Sequence, residues 1–473
     1  MTLQSNRVDN IPFSLRGYAN GTMFAMAVLL ALAMRPLAMA EEGIPAPRPL
    51  GQELPVYRAS DEAATDGESV ELGAPLTLAT ALGVALERHP ALAAVAWEVR
   101  AREALALQAG LPPNPALGVD VEHFGGAGDR RRFDGSETTI SLSQLVELGG
   151  KRTRRRRLGA LDRDLAGWDF EARRLDVFAD VTKGFVTVLA LQARRTLADD
   201  LVRLSTAAVE TVAATVRAGA VSSVEEGRAR VAAARAEADR VEVERELDAA
   251  RADLAVAIGI PSAVVPDVAG ELTSVAQPPP LAGLLDASVE TPEIARWETE
   301  LEQRQAALAL EESRRIPDVA IGPGVRRYGD DGSTALVLGF SVPLPVVNRN
   351  QGSIAAARAR VNQANAERRL AASRIVGGVR AAHARLLSAF QRVRSFRDGV
   401  VPQARTVYED ALSAYRRGLF RYIEVLDAQR TYFEVRGQYL DALASYHRAA
   451  TDVERLSGAP LGEAHVKEKG AGR

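Results

Sequence analysis

Two carboxylates three positions apart, Glu424 and Asp427, are the residues best placed to act together. They lie in the stretch AYRRGLFRYIEVLDAQRT, Ala414–Thr431, just after Gly418, which punctuates two long helical patterns. At i and i+3 they share one face of the second helix. The spacing leaves two readings open. They are solvated charges near a helix N-terminus, where the macrodipole favours anions; or, repeated around a symmetric oligomer, they form rings of negative charge that favour cations and repel anions. Other chemistry is sparse. Cysteine is absent, which excludes disulfides, thiolate metal sites and a lipidated N-terminal Cys. The five histidines (His89, His123, His383, His447 and His465) form no metal-ligand pair. No nucleophile–base set or phosphate loop stands out, so no catalytic residue, cofactor or metal site is assigned and the chain reads as a non-enzyme. The basic run Lys151–Arg157 (KRTRRRR) reads as a solvated face or a contact for anionic lipid rather than for nucleic acid. The net charge of −2 supports that choice.

The elements around these residues are long and duplicated. Gly219 lies in TVRAGAVSSVEEGRARV, Thr215–Val231, and corresponds to Gly418 at an offset of 418 − 219 = 199. The GIP at Gly259–Pro261 recurs as GAP at Gly458–Pro460 with the same offset, 458 − 259 = 199. Residues 76–260 and 292–458 therefore read as two copies of one unit, joined by a Pro-rich linker, 261–291, with a short helix near Leu281–Ser288. In the first copy a helix over 76–110 precedes a long helix over 151–217 and a return helix over 222–258. In the second, a helix over 294–313 precedes a long helix over 354–417 and a return helix over 421–456. At 1.5 Å per residue, about 67 residues reach roughly 100 Å. The last helix carries a heptad: Val425, Tyr432, Tyr439, Tyr446 and Val453 face Ala428, Val435, Ala442, Ala449 and Leu456 three positions later. Seams of this length imply a coiled-coil assembly.

Each copy also holds a β-hairpin, at 116–146 and 318–342. Leu117, Val119 and Val121 alternate with Gly118, Asp120 and Glu122; Leu336, Leu338, Phe340 and Val342 alternate with Val337, Gly339 and Ser341. The segments have about the length of tilted transmembrane strands. Four strands are too few for a water-filled barrel, so several chains must contribute. Pro323 inside the third segment weakens the pattern locally. At the N-terminus, Arg7 and Arg16, the apolar run Met23–Met34 and Ala38-Met39-Ala40 predict a cleavable export signal over 1–40. An extended segment, 41–75, follows it, and 459–473 reads as a loose tail.

These residues carry a resemblance. YRRGLFRYIEVLDAQRTYFEVRGQYLDALASYH, Tyr415–His447, and SLSQLVELGGKR, Ser141–Arg152, with PNPAL at Pro113–Leu117, look like the outer-membrane efflux proteins of the TolC type, in particular the CzcC-like branch of heavy-metal cation efflux components. The resemblance covers about residues 76–458. It implies a mainly α fold with a small transmembrane β part. Three chains would form an α-barrel of long coiled-coil helices and a twelve-stranded β-barrel, four strands per chain. The homotrimer would sit in the Gram-negative outer membrane with a periplasmic extension. It would dock a periplasmic adaptor and an inner-membrane resistance-nodulation-division pump, and pass divalent metal cations. By the same resemblance Gly219 and Gly418 lie at the periplasmic tip, Glu424 and Asp427 at its aperture, and Tyr415 is an aromatic of the closed latch. One departure stands out: the basic residue expected two positions after the turn glycine is Phe420, and Arg421 lies one later. A duct for drugs or polypeptides is the alternative substrate class, and a soluble periplasmic coiled-coil scaffold or adaptor is the alternative of another kind.

Overall fold

A computed structural model describes residues 72–128, 133, 135–219 and 221–461. The export signal, most of the extended N-terminal segment and the tail beyond 461 lie outside the described residues.

The order is α1 (Leu78–Arg88), α2 (Pro90–Ala109), β1 (Ala116–Glu122), β2 (Glu137–Val146), α3 (Lys151–Arg217) and α4 (Ser223–Ile258), then α5 (Leu281–Ser288), α6 (Pro292–Ser313), β3 (Val319–Tyr328), β4 (Thr334–Ser341), α7 (Gln351–Ser395), α8 (Val401–Arg416) and α9 (Tyr422–Ser457). Local chemistry sets the boundaries. Thr77 caps α1 by accepting from the Thr80 amide at 3.2 Å, and Ser222 caps α4 by accepting from Val224 at 3.3 Å. Pro90 and Pro292 occupy first-turn positions, where a missing N–H costs nothing. Gly259 and Gly458 end α4 and α9 in the left-handed conformation.

His89 breaks the first helix pattern and caps α2, its Nδ1 accepting from the Ala91 amide at 3.1 Å. Burial, with Arg173 nearby, holds its pKa below the usual 6.5. The neutral ring is the form that caps. Stability from this residue is therefore complete above pH 6.5 and is lost as pH falls from there through the lowered pKa. His89→Asn keeps an acceptor and removes the titration. Melting curves in detergent at pH 5 and pH 7 should show a smaller acid loss for the variant, by about 1 kcal/mol, the scale of one cap.

The helices pack on a core drawn from both copies. Phe185, Val181, Leu254, Ile258, Leu386, Leu443 and Val453 are all fully buried. The heptad of α9 faces inward: Val425, Tyr446, Val453, Ala428, Ala442 and Ala449 are buried. The pair Gly377-Gly378 leaves α7 unbroken. The interruption falls where the sequence sets Gly399 and Pro402: Phe396–Val400 is one turn of π-helix just before Pro402, whose nitrogen has no hydrogen to donate.

The segment between the copies is more than a linker. The Gln192 amide brackets Val268, accepting from its N–H at 2.8 Å and donating to its carbonyl at 3.1 Å. The Tyr446 hydroxyl donates to Ala276 O at 2.8 Å and accepts from Ala276 N at 3.1 Å. His447 and His383 place Nε2 at 2.8 Å from Leu272 O and 2.9 Å from Pro279 O. The segment is a strap whose backbone groups are satisfied by helix side chains.

The four strands form one antiparallel sheet, β1-β2-β3-β4, in which the hairpins of the two copies meet at β2–β3, from Glu137↔Tyr328 to Val146↔Val319. The register separates the faces. Val119, Ile140, Val325 and Leu336 align on one; Asp120, Thr139, Arg326 and Ala335 align on the other. Pro323 is accommodated on the apolar face opposite Leu338. On β4, Leu336, Leu338 and Phe340 are 87%, 75% and 77% exposed. Each such side chain left in water forfeits about 1.5–3 kcal/mol, so this face suits lipid. No described helix is long and apolar enough to cross a membrane.

The basic run at the start of α3 is solvated only in part: Arg152, Arg156 and Arg157 are exposed, while Lys151, Arg154 and Arg155 turn toward the protein. Lys151 pairs with Asp318 at 2.6 Å and Arg157 with Glu302 at 2.7 Å. Arg155 holds the Glu147 carboxylate and donates to the Ala109 and Leu111 carbonyls at 3.3 Å each, while Arg152 and Arg154 donate to the carbonyls of Gly110 and Ala309. Cations here satisfy the carbonyl ends of α2 and α6, the pole of a helix that favours positive charge. The run is a collar that joins the sheet to the helices.

Candidate functional site

The two long helical hairpins, α3–α4 and α8–α9, end in turns built alike. Gly219 and Gly418 have φ of 73° and 75°, where a Cβ is costly. At the second turn Leu419 N donates to Ala414 O and Gly418 N to Tyr415 O, both at 2.9 Å. This 6→1 and 5→2 pair closes the last turn of α8.

Glu424 and Asp427 point into a groove of about 770 Å³ between α8 and α9, lined also by Asp410, Arg417, Phe420 and Ile423. Both carboxylates are exposed, and among the described residues neither is in an ion pair. Glu424 lies in the first turn of α9, whose N-cap, Arg421, makes no side-chain capping bond. Free charge is therefore displayed on one face at one end of the chain. Among the described residues no cluster of three or more His, Cys, Asp or Glu is placed to hold a metal ion.

Tyr415 is not on that face. It packs against Tyr422, ring centroids 5.6 Å apart, in a small apolar cluster with Val212 of α3, Ala229 of α4 and Val425. The cluster joins the tips of the two copies. Two further tyrosines extend it, Tyr408 and Tyr432, stacked at 5.8 Å with rings within 7° of parallel. Tyr422 is 5% exposed. Burial, then the neighbouring Tyr415, Tyr408 and Glu225, push its pKa up to about 12, so it stays a neutral phenol.

Glu225 is the residue that inspection of the second copy alone overlooks. It matches Glu424 at the duplication offset, 424 − 225 = 199. The copies have diverged in its use. Glu225 lies 3.5 Å from Arg228 with a side chain only 16% exposed, whereas Arg228 is replaced at the matching position by Asp427. One copy turns its acid toward the other tip; its twin displays two acids outward.

Comparison with known proteins places this architecture. The profile of the family described as outer membrane efflux protein matches residues 81–260 and 284–459, one segment per copy. The chain is 31% identical over 388 residues to the cobalt-zinc-cadmium resistance protein CzcC of Cupriavidus metallidurans, covering 82% of this chain and 91% of that one. It is 28% identical over 304 residues to the nickel-cobalt-cadmium resistance protein NccC of Alcaligenes xylosoxydans xylosoxydans, covering 61% and 68%. Among solved structures, a crystal structure of CusC described in terms of folding and transmembrane channel formation superposes with a TM-score of 0.68 at 17% identity, covering 81% of this chain and 92% of that one. The fold is that of the TolC-like channels: long helices for an α-barrel, strands for a β-barrel, two copies of one unit. The chain is a member of the outer membrane efflux protein family.

Proposed function

We propose that the chain is the outer-membrane subunit of a tripartite efflux system and serves, as a homotrimer, as a passive exit duct for divalent heavy-metal cations. The observation that carries the reading is the pairing of two ends. One end is a four-stranded sheet with an exposed apolar face and open edges. The other is a helical tip displaying Glu424 and Asp427, neither in an ion pair among the described residues. Three sheets closing edge to edge would satisfy the backbone groups that lipid leaves unpaired. Three tips around one axis would repeat the two carboxylates as rings. The resistance proteins CzcC and NccC support the metal class.

In this reading Gly219 and Gly418 form the periplasmic tip, and Tyr415 with Tyr422 holds the α8–α9 hairpin against the first copy when the tip is closed. A second groove, about 1020 Å³, runs between α4 and α9 past Gly227, Ala232, Ala236 and Gly437. Small residues there leave room for helices of a periplasmic adaptor. The chain has no catalytic part in this scheme; an inner-membrane pump of the resistance-nodulation-division type supplies the energy. A soluble scaffold would leave the apolar face of the sheet in water.

The test is a sensitivity panel on cells lacking the protein, with Co, Zn, Cd, Ni and Cu beside a few dyes and antibiotics. Selective sensitisation to divalent metals is expected, restored by the chain in trans. Sensitisation to the organic compounds alone would overturn the metal assignment and leave the duct.

A further inference from the structure

The polar face of the sheet carries a network unconnected to the tip. Arg326 of β3 reaches across two neighbouring strands. Its Nε donates to Thr139 Oγ1 at 2.9 Å, Nη1 to Glu137 Oε2 at 2.8 Å and Nη2 to Glu122 Oε2 at 3.2 Å. The other oxygen of Glu137 lies 3.0 Å from His123 Nδ1, and His123 sits at φ 60°, a conformation rare for a residue with a Cβ. Glu137 is thus held at both oxygens, while Glu122 is half-exposed at 51%. Asp120 lies on the same face in register with Thr139 and Arg326. The cluster is at the loop end of the sheet, away from the helices that begin at Lys151.

The faces of the sheet say where these groups point. Most of the large apolar side chains, Val119, Ile140, Leu142, Val325, Leu336 and Phe340 among them, share the opposite face, so in a closed barrel with its apolar side to lipid this network faces the lumen. Each chain places three carboxylates and one guanidinium there. Around three chains these described side chains of the sheet contribute net negative charge, which Arg326 partly offsets.

We propose that Arg326, Glu137 and Glu122 form a second charge-selecting ring at the outer end of the duct, in which Arg326 is the built-in counter-ion that weakens the hold of the carboxylates on departing cations. This rests on the duct reading above. The guanidinium occupies the acceptors a divalent cation would otherwise visit. A cation arriving from the tunnel meets a ring attractive enough to enter and already partly neutralised, so it leaves readily, as conduction requires.

The test is reversal potential in planar bilayers under a KCl gradient, with CoCl₂ then added to the loop side alone. Arg326→Gln should raise the cation-over-anion permeability ratio roughly three- to ten-fold, the scale of a potential change of one to a few kT. It should also create block by loop-side Co²⁺. Arg326→Lys, which keeps the charge and loses the three-way fork, should remain near wild type. Glu122→Gln should lower the ratio, and because Glu122 is half-exposed this variant bears on the proposal even where Arg326→Gln fails to assemble. An unmoved ratio in Glu122→Gln, or equal shifts in Arg326→Gln and Arg326→Lys, overturns the inference and leaves the duct reading intact. Absence of conductance in the wild-type protein overturns the duct reading itself.

Discussion

Glu424→Ala combined with Asp427→Ala is expected to increase leak through the tip and to abolish most of its block by multivalent cations added from the tip side. Both side chains are exposed, share one groove and have no ion-pair partner among the described residues, so no compensating cation is orphaned and the chain should fold as before. The loss is electrostatic. Rings of carboxylates in a narrow, poorly solvated opening raise the local cation concentration by factors of 10 or more, falling steeply with salt. The effect of the double variant should therefore be large at low ionic strength and small at high. Unchanged conductance and block at both salt concentrations would reduce the pair to ordinary surface charge. The matching change in the first copy, Glu225→Gln, should act differently: it alters the packing environment of Tyr422 and should leave multivalent block nearly untouched.

Arg155→Ala is expected to be the most damaging single change at the junction of sheet and helices. The guanidinium holds the Glu147 carboxylate, whose side chain is 12% exposed, and two carbonyls at the end of α2. Truncation leaves a mostly buried carboxylate and carbonyl groups without a donor. Breaking a fully buried pair from one side costs about 3–5 kcal/mol; this pair is part-buried, so the expected loss is about 1–3 kcal/mol. Reduced trimer yield and faster protease cleavage between residues 109 and 151 are the readouts. Arg155→Ala with Glu147→Gln should recover part of the loss, since the orphaned charge is gone. A double variant as poor as the single would assign the cost to the two carbonyls instead.

What could be read from the sequence follows from periodicity. Long helices repeat one local rule for sixty residues, and alternating strands repeat another. The duplication doubles each signal, so α3, α9 and the four strands were legible to within a few residues. The collar was not. KRTRRRR has the composition of a solvated patch, and only the fold brings Glu147, Asp318 and the carbonyl ends of α2 and α6 to it. The strap was read as a linker for the same reason: its partners Gln192, Tyr446 and His447 lie up to 175 positions away. At the tip, the resemblance grouped Tyr415 with the acids, and the helix turns put them on different faces. Glu424 and Asp427 face the groove, whereas Tyr422 and Val425 face the other copy. Glu225 was within reach of sequence reasoning, because the offset that pairs the glycines also pairs the two glutamates.

The single π turn at Phe396–Val400 works as a phase shifter. One extra residue in a helical turn rotates everything below it by about 100° relative to an uninterrupted α-helix. Above the turn, Val379, Ala382, Leu386 and Val393 fix which side of α7 is sealed. Below it, α8 lines the groove with Asp410 beside the buried Ala411 and Ala414, across from Glu424 and Asp427. The bearing of Asp410, the acid that α8 brings to the groove, is thus set by a residue count up the shaft, whereas contacts at the tip set the bearing of Glu424 and Asp427 on α9. Loss of a single residue there would swing Asp410 out of the groove and carry Tyr408 and Tyr415 away from the tip cluster with it.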